Sequence, residues 1–262
     1  MRINRRVASA AGLVAVMLGV AACGSSGTPS ATSTSTGASA SNVELTLYNA
    51  QHEDLMQLMK DEFTKATGIK VKMRNGEDPE LAELLIREGA KSEADVFVTE
   101  NSPAMVNVAG KGLFAKVDDA TLAQVPAQFA AADKDWVGFA GRSTVFVHNP
   151  AGLKEADLPA SLMDLSQPNW KGKVGISPGG ADFQAIVSAV LALKGEPATK
   201  AWLKGLKENA KVYDGNSNVL KAVNDGGVAS GVIYHYYFLK DQAESGANSK
   251  NVTQHYFLKQ DP

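Results

Sequence analysis

At 262 residues, 44% hydrophobic and 21% charged, the chain has room for one large domain or two smaller ones and the composition of an ordinary globular protein. Setting aside residues 1–22, which hold three arginines and no acid, takes the net charge from −2 to −5; that excludes the basic face nucleic acid requires and suits a cation. The single cysteine, Cys23, excludes an internal disulfide and any paired-cysteine metal site.

In chain order, residues 1–22 read as a signal peptide. Arg2, Arg5 and Arg6 form its positive start, and Val7 to Val20 is an apolar run too short for a permanent membrane span. Val20-Ala21-Ala22-Cys23-Gly24 then resembles a bacterial lipobox, so Cys23 is expected to carry a lipid that anchors the chain to the membrane. Residues 23–42, rich in Ser, Thr, Gly and Ala, read as a flexible tether with an end-to-end distance of roughly 25 Å.

The folded part opens with period-2 alternation over Val43–Asn49, a strand. Leu55, Met56, Met59 and Phe63 then take helical spacing, and Gly68 ends that helix. Ile69, Val71 and Met73 predict a second strand and Pro79–Lys91 a second helix, with Leu81, Leu84 and Leu85 inward. Asp95–Val98 is a short apolar strand of the kind found inside a parallel sheet. This β-α-β-α-β alternation builds a doubly wound sheet whose ligands sit beyond the carboxyl ends of the strands. Trp136–His148 reads as two extended segments broken at Gly141, where the chain crosses to a second lobe. Lys173–Ile176 is a strand, Ala181–Leu193 a helix ended by Gly195, and Trp202–Asn209 a further helix. Asn216-Ser217-Asn218 is placed to cap a helix over Val219–Val223, and Val228–Ile233 is a strand that runs into Tyr234-His235-Tyr236-Tyr237.

That aromatic run has two readings: an amphipathic plug in a core, or phenol oxygens acting as hard anionic donors. His52 follows the first strand and Glu100 the third, so both lie at one edge of the first sheet, while Tyr236 and Tyr237 lie at a strand end in the second lobe. A cleft between the lobes joins the four. Two phenolates and a carboxylate are hard oxygen donors and imidazole suits iron as well, so the set fits Fe(III), where zinc favours Cys and His, and calcium several carboxylates and carbonyls. Four ligands leave two octahedral positions open, and the Gly179-Gly180 turn before a helix is a candidate nest for an anion that fills them.

With these residues in place the chain resembles the periplasmic ferric-ion-binding proteins of bacterial ABC transporters. Besides the tyrosine pair, the resemblance is carried by Tyr48-Asn49-Ala50-Gln51-His52, Ala94–Glu100, Gly141-Arg142-Ser143, Trp170–Lys173 and Trp202–Asn209. It implies an α/β, two-lobe type II periplasmic-binding-protein fold, each lobe a mainly parallel sheet flanked by helices, with a first lobe over 43–142 and a second over 143–262. It implies Fe(III) held by His52, Glu100, Tyr236 and Tyr237, with a synergistic anion (carbonate, phosphate or citrate) at Gly179, Gly180 and Ala181 beside Arg142 and Asn216. It further implies an extracytoplasmic monomer, lipid-anchored, that hands iron to an ABC transporter permease and catalyses nothing. The anion loop departs from the family in having Pro178-Gly179-Gly180-Ala181 where serines are usual. The family also continues past Lys259-Gln260-Asp261-Pro262 with a segment returning to the first lobe; its absence implies exposed core surface and marginal stability. A receptor for another metal or a ferric chelate, an iron-phenolate oxygenase, and a lipoprotein with an empty cleft are the other readings. No GxGxxG or P-loop motif favours the enzyme.

Overall fold

The computed structural model describes residues 43–257; residues 1–42, on which the expected signal peptide, lipidated Cys23 and tether fall, and residues 258–262 lie outside the described residues. The first sheet has three parallel strands in the order β2-β1-β3: β1 (Glu44–Asn49), β2 (Lys70–Asn75) and β3 (Val96–Val98). Helix α1 (Glu53–Thr67) links β1 to β2, and α2 (Asp78–Glu88) links β2 to β3. Gly68 ends α1 in the left-handed region at φ 75°, which an L side chain rarely adopts, and its N–H caps the Thr64 carbonyl.

One expectation for this sheet changes. β3 lies at the edge of the described sheet, with Val96 43% exposed, because β1 takes the centre and pairs on both sides. On α1 only Met56 is buried; Leu55, Met59 and Phe63 keep their helical stripe but are exposed among the described residues. The core of this part lies on the other face, where Tyr48 and Ala50 pack against Leu81, Ala82 and Leu85 of α2 and Ala104 and Val108 of α3 (Ser102–Ala109).

After a short α4 (Asp119–Leu122) the chain enters a five-stranded mixed sheet in the order β6-β5-β7-β4-β8. Its strands are β4 (Thr144–His148), β5 (Val174–Ile176), β6 (Ala210–Val212), β7 (Ser230–Tyr234) and β8 (Thr253–His255). β5 runs parallel to β6 and β7, whereas β4 runs antiparallel to β7 and β8, so only half of this sheet is parallel. Of the two extended segments expected over Trp136–His148, only the second forms a strand, β4; the first contributes one bridge, Ala130 to Val137.

Both faces of the sheet are covered, and this explains the uninterrupted apolar run Val145-Phe146-Val147. Phe146 packs with Trp170, Trp202 and Leu206 on one face, and Val145 and Val147 with Val219, Leu220 and Val223 on the other. Helix α5 (Ala181–Asn209) breaks at Gly195 (φ 78°), as the sequence leads one to expect, and its second half carries Trp202, whose indole N–H donates to the Leu162 carbonyl at 3.1 Å. Gly205 lies so close to Ser166 that an added Cβ would meet its carbonyl oxygen at 2.4 Å. Two helices remain. In α6 (Asn216–Asn224), Asn216 is buried inside the first turn and does not cap it. In α7 (His235–Glu244), His235, Tyr236 and Tyr237 form the first turn of a helix; no strand end holds them. Among the described residues no helix is long and apolar enough to cross a membrane.

Candidate metal centre

The ends of β1 and β3 place His52 and Glu100 at one edge of the first sheet, as parallel pairing of these strands requires. His52 is the N-cap residue of α1 but makes no side-chain cap bond, which leaves its ring free to face the second sheet. There β7 delivers the chain into α7, whose first turn presents Tyr236 and Tyr237. A helix N-terminus carries partial positive charge and favours anionic groups, so this position suits phenolates better than a strand end does.

The four side chains form one continuous series. His52 Nε2 is 2.9 Å from the Tyr236 hydroxyl and 3.4 Å from Glu100 Oε1. The rings of Tyr236 and Tyr237 have centroids 4.2 Å apart and are tilted by 30°. Cis donors around a small cation with bonds of about 2 Å stand roughly 3 Å apart, so this spacing fits one ion. Among the described residues no three His, Cys, Asp or Glu side chains group as a metal cage; the set depends on its tyrosines.

Arg142 contacts residues on both sides of the site. Its guanidinium donates to Gln51 Oε1 at 2.7 Å and to Asp182 Oδ1 at 3.2 Å, lies 3.5 Å from Glu100 Oε2, and covers the Tyr236 ring at 4.9 Å. Burial opposes its charge, but Tyr236, Glu100 and Asp182 more than offset this and hold its pKa above the usual guanidinium value. Burial, only partly countered by Arg142, raises Glu100 above the usual carboxylate range, and Asp182 adds repulsion. Burial likewise raises Tyr236 and Tyr237. Without a cation the phenols stay protonated; a bound cation supplies the charge that reverses this.

Asp182 is the site residue that sequence reasoning missed. Its side chain is 8% exposed, and it accepts from Arg142, from the Asn101 amide at 2.9 Å and from the Asn216 amide at 2.7 Å. Arg142 and Asn216, two of the residues the resemblance assigns to an anion, thus hold the carboxylate that directly follows Gly179-Gly180-Ala181. The only sequence signal for it is an acid in the first turn of a helix, which is commonplace. At Gly179 and Gly180 an added Cβ would meet nothing within 4 Å, so the turn is open. Tyr234 donates to Asn101 Oδ1 at 3.2 Å, while His235 turns away and its Nδ1 accepts the Ser143 N–H at 3.1 Å.

Two α/β lobes with a polar cleft between them define a solute-binding protein of the type II periplasmic fold. The chain belongs to the bacterial extracellular solute-binding protein family, whose pattern matches residues 91–253, and that family is one of binding proteins rather than enzymes. It is 59% identical over 218 residues, 83% of its length, to the Fe(3+)-binding periplasmic protein of Serratia marcescens, and 36% identical over 229 residues, 87% of its length, to the major ferric iron-binding protein of Neisseria gonorrhoeae. It spans 64% and 69% of the lengths of these two relatives. Among solved structures, iron-bound HitA from Pseudomonas aeruginosa superposes with a TM-score of 0.79 at 42% identity, covering 84% of this chain and 71% of that one. The Trichodesmium protein in complex with iron and citrate superposes with a TM-score of 0.70 at 28% identity, covering 82% of this chain and 70% of that one.

Proposed function

We propose that this chain binds Fe(III) through His52, Glu100, Tyr236 and Tyr237 in the cleft between a first lobe over 43–142 and a second over 143–262. The observation that carries the reading is that His52 Nε2 lies 2.9 Å from the Tyr236 hydroxyl and 3.4 Å from Glu100, the spacing of donors around one ion, with the Tyr237 ring packed beside Tyr236. The similarity to ferric-ion-binding proteins of Serratia and Neisseria supports the same cargo. In this reading the chain is an extracytoplasmic receptor, lipid-anchored through Cys23, that captures iron by closing and delivers it as a monomer to the permease of an ABC importer. An oxygen anion (carbonate, phosphate or citrate) at Gly179, Gly180 and Ala181 completes the coordination.

One observation favours a second version of the last step. Asp182 already engages Arg142 and Asn216 beside that turn. In this version its carboxylate takes the anion's place and no exogenous anion is required.

The test is to add Fe(III) with citrate or phosphate and record a visible phenolate-to-iron charge-transfer band. The wild type is expected to colour, and Tyr236→Phe and Tyr237→Phe each to weaken or shift the band. A colourless wild type, or two mutants that keep the full band, refutes the site.

A further inference from the structure

Helix α2 opens on a carboxylate in a costly place. Asp78 is 2% exposed, and an ionised carboxylate removed from water is tolerated only when hydrogen-bonded. It does not serve its own helix, whose N-cap is Glu77. Instead Oδ1 accepts the N–H of Glu100 at 2.9 Å and Oδ2 accepts the N–H of Asn101 at 3.2 Å. Asn101 is the N-cap residue of α3, so Oδ2 satisfies one free N–H group at the start of that helix, while Oδ1 holds the residue before it, outside the helix.

The segment it holds needs holding. β3 is three residues long, and Ala50 N–H to the Val98 carbonyl, at 2.8 Å, is the tie nearest its end. Glu100 and Asn101 lie past that tie with no strand partner. Yet their side chains face two different tasks. Glu100 reaches His52 at 3.4 Å and Arg142 at 3.5 Å. Asn101 reaches across the cleft, donating to Asp182 at 2.9 Å and accepting from Tyr234 at 3.2 Å. A carboxylate more than twenty residues upstream therefore fixes, through two successive main-chain N–H groups, both a metal donor and an amide that ties the second lobe to it.

We infer that Asp78 is a positioning residue for ferric-ion binding: it sets where Glu100 presents its carboxylate and couples that placement to the Asn101 bridge across the cleft. The inference rests on the assignment of Glu100 as an iron ligand. Groups that orient a metal ligand from behind it typically change affinity by about 10- to 100-fold when altered.

The experiment measures Fe(III) affinity by competition with citrate, together with the charge-transfer band and a thermal melt, in the wild type and in E100Q, D78N, D78A and the D78N/E100Q double variant. Asn at position 78 keeps one acceptor and turns an N–H toward the other donor, so D78N is expected to weaken binding about tenfold and D78A up to about a hundredfold. Because Asp78 acts through Glu100, the double variant is expected to bind as E100Q does. Should D78A not fold, D78N alone carries the comparison. If E100Q weakens binding while D78N binds as tightly as the wild type, the positioning role is refuted and the iron site stands. If the losses of D78N and E100Q multiply in the double variant, Asp78 acts on the fold and not through Glu100, which also overturns the role. A wild type without the band, or an E100Q variant as tight as the wild type, removes the iron assignment itself.

Discussion

His52 Nε2 lies 2.9 Å from the Tyr236 hydroxyl, although the two residues are 184 positions apart and follow strands of different sheets. The contact is a hydrogen bond between imidazole and phenol, and in the proposed site the same two atoms are donors to one ion. The two residues differ in what they give to colour. His52→Gln is expected to weaken Fe(III) affinity by at least about tenfold while leaving the charge-transfer band, since both phenolates remain. Tyr236→Phe is expected to lose affinity and to shift or weaken the band as well. Competition with citrate and a visible spectrum separate the two effects, and a His52→Gln protein that loses its colour at saturating iron contradicts the assignment.

Arg142 holds Glu100 and Asp182 together without any metal, and its own side chain is only 13% exposed. Removing one member of a buried charge group strands the others, at a cost of roughly 3–5 kcal/mol. Arg142→Ala is therefore expected to lower metal-free stability by about 3 kcal/mol in urea melts. Ferric ion brings positive charge to the same carboxylates, so it is expected to recover more stability in the variant than in the wild type. Equal gains on iron addition refute this electrostatic role.

Asp182 separates the two versions of the anion step. If its carboxylate stands in for the anion, the wild type binds Fe(III) with little response to added phosphate or citrate. Asp182→Asn, which lowers the negative charge held by Arg142 and Asn216, is then expected to show a dependence at least about tenfold stronger. Titrations across a range of phosphate concentrations measure this. An equal dependence in both proteins assigns the position to an exogenous anion.

Much of the first sheet was legible because its periods are clean. The alternation of Val43–Asn49, the helical spacing after Glu53 and the glycine at 68 each name one element, and β1, α1 and β2 follow within a residue or two. The same rule of strand ends puts His52 and Glu100 at one edge of the sheet, where the structure has them. What the chain does not spell out locally was missed. β6 and β8 are three residues each, too short to show a period. The His235–Phe238 run is aromatic and weak in helix propensity, so α7 reads as the tail of a strand. Asp182 gains its meaning only from donors 81, 40 and 34 positions away, which no local pattern displays.

The second sheet holds one feature outside the metal centre that predicts a response to pH. His148 of β4, 3% exposed, and His255 of β8 stack with centroids 4.9 Å apart, and neither His148 Nδ1 nor His255 Nε2 has a hydrogen-bond partner among the described residues. Burial, followed by the neighbouring His255, lowers the His148 pKa below the usual imidazole value; the acid Glu155 acts weakly in the opposite sense. A base whose pKa is lowered on folding binds more protons when unfolded. Stability is therefore full above the unfolded value of about 6.5 and falls as pH drops through it, levelling once the folded-state value is passed. His148→Phe keeps the volume and removes the titration, so its melting temperature is expected to fall less than that of the wild type between pH 7.5 and pH 5. Paired thermal melts at the two pH values check this, and identical drops would show that the pair titrates without cost to the fold.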